Sequence, residues 1–177
     1  LPAQRAVHAP HRGDRVGIWS PNTSEWTLAQ FATAKAGLVL VNVNPAYRRA
    51  ELDYAMNKVE CKALILAPAL KTSNYLEIVD DLVKAAKLPH LRHVIRLGKE
   101  KTPGMINFDD VAKAGGNAER ARLAELGPKL QFDDAINIQF TSGTTGHPKG
   151  ATLSHHNILN NGYFVGLGLK LTPEDRL

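Results

Sequence analysis

The sequence predicts an α/β protein with a mainly parallel sheet, built from βαβ units and flanked by helices. Short apolar runs of strand length alternate along the chain with longer segments whose apolar residues recur at helical spacing. Several of these runs are unbroken, which is typical of strands covered on both faces. Parallel strands joined through helices form right-handed crossovers, and such sheets bind ligands beyond the carboxyl ends of their strands.

The first predicted unit begins with the apolar run at residues 16–19. Asn22 is the expected N-cap of the next helix, because Glu25 follows three positions later and completes a capping box. Gly37 suits the position after the helix end. The run at 38–41 is the second predicted strand. The apolar surface of the helix between them is expected to come from Trp26, Leu28, Phe31 and Ala32.

The same alternation continues to residue 97. One helix is indicated by Leu52, Ala55, Met56 and Val59, which share a face at helical spacing. A strand at 62–67, a helix at 75–86 and a strand at 93–97 follow. Residues 13–97 are therefore predicted to form the βαβ repeats.

The remaining residues divide into two further parts. Residues 98–134 lack a clear period and are predicted to be an irregular excursion, with a short polar helix at 119–126. Residues 135–177 are predicted to hold a phosphate loop and the helix after it. A strand is expected at 136–140, where apolar and polar residues alternate. After the loop, a short strand at 151–153 is expected to pair back as a hairpin arm, and Ser154 to cap a helix toward Phe164.

Between these two strands lies a loop, Thr141–Gly150, that contains no large apolar side chain. Its glycines allow the backbone to curl closely around oxygen atoms, and successive N–H groups can form an anion-binding nest. Hydroxyl groups add donors and one lysine adds positive charge, so a polyphosphate is the expected ligand. The predicted binding residues are Thr141, Ser142, Gly143, Thr144, Thr145, Gly146, Lys149 and Gly150.

Two familiar nucleotide motifs do not fit the loop. A Walker A loop needs glycine, four residues and then Gly-Lys-Ser/Thr, but that spacing places Pro148 or Ala151 where the second glycine should be. No Gly-x-Gly-x-x-Gly fingerprint occurs. Since a short strand follows the loop, phosphate binding is expected to depend on the loop and not on a helix dipole.

Composition excludes other functions. The formal net charge is +5, but the basic residues are scattered and no aromatic residues interleave with them, so no nucleic-acid partner is predicted. No apolar run is long enough to cross a bilayer. The single Cys61 excludes an internal disulfide and is expected to be a small buried hydrophobe. Some of the seven histidines are spaced by three or are adjacent, but no Cys pair or His-Glu-x-x-His motif accompanies them, so no metal site is predicted.

The order of residues in Thr141–Gly150 resembles the signature loop of the adenylate-forming enzymes, which include acyl-CoA synthetases, firefly-type luciferases and adenylation domains of peptide synthetases. Residues 13–22, 42–47 and 151–157 resemble other parts of the same family, so the resemblance covers nearly the entire chain. Within the family, residues 136–140 and 150–157 are most similar to fatty-acyl-CoA synthetases, notably a mitochondrial enzyme and its bacterial relatives.

The resemblance implies a two-step reaction, in which ATP activates a fatty acid as an acyl-adenylate and coenzyme A then displaces AMP. ATP, Mg²⁺ and coenzyme A are the implied cofactors and co-substrates, and the loop would hold the β- and γ-phosphates. An aryl-acid CoA ligase, a luciferase-like enzyme and a non-catalytic nucleotide-binding module are the alternatives.

The resemblance also implies that the chain is part of the large N-terminal domain of such an enzyme. Family members are far longer, and their C-terminal domain with its catalytic lysine has no counterpart here. No catalytic residue is therefore assigned, and the chain alone is expected to be inactive. A bacterial cytoplasm and a mitochondrial matrix are both compatible compartments, and the oligomeric state is not predicted.

Overall fold

The structure is a computed structural model that describes residues 11–141 and 148–175. The strands are β1 (Arg15–Trp19), β2 (Val39–Asn42), β3 (Ala63–Leu66), β4 (Ala69–Leu70), β5 (Ser73–Asn74), β6 (His93–Arg96), β7 (Ile106–Asn107), β8 (Ala135–Thr141) and β9 (Lys149–Ser154). The helices are α1 (Ser24–Lys35), α2 (Arg49–Lys58), α3 (Tyr75–Lys84), α4 (Phe108–Ala114), α5 (Asn117–Leu126) and α6 (His155–Gly168), and a 3₁₀ turn spans Gly127–Lys129.

Within the described residues, a seven-stranded sheet has the order β7-β6-β3-β1-β2-β8-β9. Neighbouring strands are parallel throughout, except that β9 runs antiparallel to β8. β4 and β5 form a separate two-stranded hairpin. The predicted α/β class with a mainly parallel sheet is confirmed. The carboxyl ends of the six parallel strands meet at one edge, where β8 delivers the candidate loop.

Helices cover both faces of the sheet. On one face, Ile18, Leu40 and Ile65 pack with Ala29 of α1. On the other face, side chains from the same strands pack with Leu52 of α2 and with residues of α3. Successive strand residues point to opposite faces, so a strand covered on both sides has few positions left for polar residues. This explains the unbroken apolar runs in the sequence.

The first helix differs from its prediction in two respects. Thr23, and not Asn22, is the N-cap, because the Thr23 side chain accepts a hydrogen bond from the backbone N–H of Trp26. The helix packs through small residues, and Leu28 and Phe31 are 60% and 66% exposed. The expectation that these two large side chains pack inward was wrong, because the close approach of α1 to the sheet favours Ala29 and its small neighbours. Gly37 has φ +67°, as its position after the helix requires.

Two elements after residue 97 were not expected from the pattern. β7 adds a parallel strand beside β6, and α4 follows it directly. Each is short, and β7 has only two residues, so neither creates a periodic apolar signal. The short polar helix expected at 119–126 is present as α5.

Two buried aromatic side chains fix the turn after β2. Trp19 and Tyr75 stack with ring centroids 3.6 Å apart. The Trp19 indole donates a hydrogen bond to the Asn44 carbonyl at 3.2 Å, and the Tyr75 hydroxyl donates to the Pro45 carbonyl at 2.5 Å. A turn at the carboxyl edge is thereby held from inside the protein. None of the helices in the described residues is both long and apolar enough to span a membrane.

Candidate functional site

The candidate loop is carried on a β-hairpin at the carboxyl edge of the sheet. β8 and β9 pair antiparallel, with Phe140 opposite Gly150 and Thr141 opposite Lys149. The predicted hairpin arm is confirmed, although it begins at Lys149 and not at Ala151. The hairpin therefore holds both ends of the loop at a fixed separation.

The structure places three of the predicted binding residues together. Thr141, Lys149 and Gly150 are all exposed at the open end of the hairpin. A hydroxyl-bearing side chain and a cationic side chain thus lie on facing positions of two strands, both accessible to solvent. The other predicted residues, Ser142, Gly143, Thr144, Thr145 and Gly146, lie outside the described residues.

Two hydrogen bonds hold the backbone around Lys149. The Thr141 hydroxyl donates to the Lys149 carbonyl at 3.4 Å. From α2, the Tyr54 hydroxyl donates to the Pro148 carbonyl, also at 3.4 Å. Both are longer than the distance of about 2.5–3.0 Å that is usual for a hydrogen bond between two oxygen atoms, so each is a weak contact. Together they contact the peptide groups immediately before and after the Lys149 side chain.

Tyr54 was not predicted as part of the site. It lies on α2 between the buried Leu52 and Ala55, so it sits beside the core-facing stripe and not in it. Its ring also lies under the Lys58 ammonium, 5.8 Å from the ring centroid. The sequence shows an aromatic residue just outside an apolar stripe. It does not show which residue Tyr54 contacts, because Pro148 is 94 positions away.

Gly150 allows the two strands to approach closely. A Cβ atom at this position would lie 3.1 Å from the Ile138 Cγ2 atom and 3.6 Å from the Phe140 ring. Ile138 is itself buried in the core, so it has little room to move. The last glycine of the loop is therefore needed for packing, and the neighbouring polar groups are left for binding.

A chain of amide groups supports β8 from the α1 side. Asn137, which is 0% exposed, donates to the Gln30 side-chain oxygen at 2.8 Å and accepts from the Asn42 amide at 3.2 Å. These bonds tie β8 to α1 and to β2 within the sheet. A polar residue at a buried strand position is stable only when such partners are present.

The amino-terminal end of β8 is also fixed. Asp134 accepts hydrogen bonds from the Gln131 backbone N–H and from Arg12, and these lower the pKa of its carboxyl group, the backbone bond having the larger effect. Ser154 caps α6 through the N–H of Asn157, as expected. Because α6 begins at this end of the hairpin, its N-terminus does not face the loop. The α6 N-terminus is therefore not placed to bind a ligand at the open end of the hairpin.

A groove with a volume of about 680 Å³ lies elsewhere in the described structure. Its lining is mainly apolar, and its residues come from α1, α5, the segment before β8 and the start of α6. These parts lie at the amino edge of the sheet, opposite the loop. Ligand binding in parallel sheets occurs at the carboxyl edge, so the hairpin is the better candidate.

The described residues do not supply a metal site or a reactive thiol. Among residues 11–141 and 148–175, no three His, Cys, Asp or Glu side chains form a group that could hold a metal ion. The described side chains therefore do not fit Mg²⁺ on their own. Burial raises the pKa of the Cys61 thiol to about 12, and the predicted buried position of Cys61 is confirmed.

Comparisons with known proteins show the family of the chain. A model of the AMP-binding enzyme family matches residues 9–177. The medium-chain acyl-CoA ligase ACSF2 of zebrafish, designated mitochondrial, is 47% identical over 167 residues, which cover 88% of this chain and 27% of the relative. The human enzyme of the same name is 46% identical over 180 residues, with 92% and 29% covered. The resemblance to acyl-CoA synthetases of this type is thus confirmed.

A solved structure supports the same family. Acetoacetyl-CoA synthetase from Streptomyces lividans is 26% identical and superimposes with a TM-score of 0.78, covering 95% of this chain and 26% of that chain. The chain spans less than a third of the length of the curated relatives that it matches.

Proposed function

The chain belongs to the AMP-binding enzyme family, and from that membership we propose that the protein acts as an AMP-forming ligase that joins a medium-chain fatty acid to coenzyme A. The proposal concerns the whole protein at the length that its relatives have, and residues 1–177 alone are expected to be inactive. The substrate class follows from the relatives, which are named medium-chain acyl-CoA ligases.

The proposed reaction has two steps. A fatty-acid carboxylate oxygen attacks the α-phosphorus of ATP, the bond between the α- and β-phosphates breaks, and pyrophosphate leaves. The thiol of coenzyme A, losing its proton, then attacks the acyl carbon of the adenylate, a thioester forms and AMP leaves. Negative charge grows on the pyrophosphate during the first step. The end of the hairpin would stabilise this charge.

The observation that carries the proposal is the exposed pair of Thr141 and Lys149 at the carboxyl edge of a parallel sheet. Lys149 would neutralise charge on the β- and γ-phosphates, and backbone N–H groups and hydroxyls of the loop other than that of Thr141, which donates to the Lys149 carbonyl, would donate to their oxygens. We extend these roles to Ser142, Gly143, Thr144, Thr145 and Gly146, and to Gly150 as a packing residue of the same loop. Groups aimed at developing charge are a protein's main means of accelerating such a transfer.

Substitution of Lys149 tests the proposal. A charge-assisted hydrogen bond contributes about 1.5–3 kcal/mol, so Lys149→Ala is expected to slow the first step about ten- to a hundredfold. The measurement is pyrophosphate release by the whole protein with ATP, coenzyme A and saturated fatty acids of several chain lengths. Medium-length chains are expected to give the highest rates.

A matched control is Lys113→Ala, because Lys113 is an exposed lysine on α4 and is remote from the hairpin in the sheet order. This variant should release pyrophosphate at the wild-type rate. If the whole protein releases no pyrophosphate with any fatty acid, the proposed activity is wrong. If it is active and Lys149→Ala is as fast as wild type, the role assigned to the loop is wrong.

A further inference from the structure

We propose that Tyr54 is a positioning residue for Lys149, and that α2 therefore sets the geometry of the phosphate site. The inference rests on the function proposed above and concerns a residue outside the loop. Tyr54 lies 95 positions before Lys149 in the sequence. Its hydroxyl joins α2 to Pro148, the residue that precedes β9.

The contact is made at the peptide group that joins Pro148 to Lys149. The Tyr54 hydroxyl donates to the carbonyl oxygen of this group. On the other side, the Lys149 carbonyl accepts from Thr141 across the hairpin. The backbone that carries the Lys149 side chain is thus held between a helix and a neighbouring strand.

The helix is a rigid support for this contact. Leu52 and Ala55 of α2 are 0% exposed and Met56 is 2% exposed, so the helix is fixed to the sheet through a continuous apolar stripe. The Lys58 ammonium lies over one face of the Tyr54 ring. A hydroxyl on a side chain held in this way loses little freedom when it forms the bond, which favours a fixed position for Lys149.

Lys149 has a long side chain with many rotamers, and its own carbon chain is exposed. Its ammonium can be aimed at phosphate oxygens only if its backbone is placed correctly. Loss of the Tyr54 hydroxyl should therefore weaken the action of Lys149 without changing the fold. The effect should appear in steps that use ATP and not in binding of the fatty acid.

The test uses Tyr54→Phe, which removes only the hydroxyl, in the whole protein. A neutral hydrogen bond of this kind is expected to change kcat/KM for ATP by about two- to tenfold. The KM for the fatty acid and the melting temperature should stay at their wild-type values. Tyr163→Phe is the matched control, since Tyr163 is an exposed tyrosine on α6, and this variant should keep the wild-type kcat/KM.

A double-mutant cycle decides whether Tyr54 acts through Lys149. If it does, Tyr54→Phe should lower kcat/KM for ATP in the wild-type background and have no further effect in the Lys149→Ala background. An equal loss in both backgrounds would show that Tyr54 acts independently of Lys149 and would overturn the inference. So would a Tyr54→Phe variant that matches wild type, or one that loses thermal stability and fatty-acid affinity together.

Failure of this inference is distinguishable from failure of the proposed function. Suppose that the whole protein is active, that Lys149→Ala is impaired and that Tyr54→Phe is not. Only the role assigned to Tyr54 would then be wrong. If the whole protein released no pyrophosphate from ATP, the proposed function itself would be wrong.

Discussion

The central strands and β9 belong to one sheet, but they use their side chains in opposite ways. Every residue of β1, apart from its first, is buried, and β3 is buried except for Ala63. In β9 the first four residues are exposed. α2 and α3 each bury three residues, whereas no residue of α6, all of which the structure describes, is buried.

The difference separates stability from binding. Burial of apolar area in the central strands is the main source of folding free energy, since each fully buried Leu or Val contributes about 1.5–3 kcal/mol. β9 buries little apolar area. The side chains of Thr141 and Lys149, at the open end of the hairpin, remain accessible to solvent. A change in the centre should therefore alter stability, and a change at the hairpin end should alter ligand handling.

The strongest test of this division compares two leucines in the isolated chain. Leu64 of β3 is 0% exposed and Leu159 of α6 is 74% exposed. Leu64→Ala should lower the free energy of unfolding by about 2–5 kcal/mol, because it leaves a cavity in the core. Leu159→Ala should change it by less than about 0.5 kcal/mol. Urea unfolding measures both, and equal losses would contradict the division.

A second test uses the pKa of the buried Cys61. The folded state raises this pKa from 9.0 to about 12, so above pH 9 the unfolded chain loses a proton that the folded chain keeps. The contribution of this thiol to stability is therefore present below pH 9 and is lost as pH rises toward 12, by about 1.4 kcal/mol per pH unit. Cys61→Ala removes the titrating group.

The measurement is the difference in unfolding free energy between the wild-type chain and Cys61→Ala. This difference should be constant from pH 7 to pH 8.5 and should shrink as the pH is raised to 10. A difference that does not change with pH would show that the thiol is not buried as described.

The third and smallest effect is expected at the hairpin. An alanine Cβ at Gly150 meets Ile138 and Phe140, so Gly150→Ala should lower the free energy of unfolding by about 1 kcal/mol. Gly162→Ala in α6 is the control, because no atom lies within 4 Å of its added Cβ. That change should instead stabilise the chain by about 0.5–1 kcal/mol. If both substitutions change the free energy of unfolding in the same direction, the close approach at Gly150 does not constrain the hairpin.

Much of the fold was predictable because the strands are buried on both faces. An unbroken apolar run such as 38–41 leaves few alternatives to a central strand, and β2 lies there within one residue. Short or edge elements were missed for the converse reason. β7 has two residues, and its pairing with β6 depends on a partner distant in the sequence. The prediction of which α1 residues face the sheet was wrong, because close packing against a sheet can favour small residues over large ones.

The site was predictable only where its signal is local. The loop signal is carried by ten consecutive residues, Thr141–Gly150. The structure places Thr141 and Lys149 on facing strands. The contact from Tyr54 and the amide chain through Asn137 join segments far apart in the sequence. No pattern in the residues around Tyr54 or Asn137 specifies these partners. Such contacts follow from the strand order, which the sequence alone did not establish.

The most direct test of the account is a crystal structure of the whole protein with ATP bound. The account predicts that the Lys149 ammonium lies about 2.7–2.9 Å from oxygens of the β- or γ-phosphate, with the triphosphate held at the end of the β8–β9 hairpin. A triphosphate bound at another place, without contact to any residue of 141–150, would contradict it.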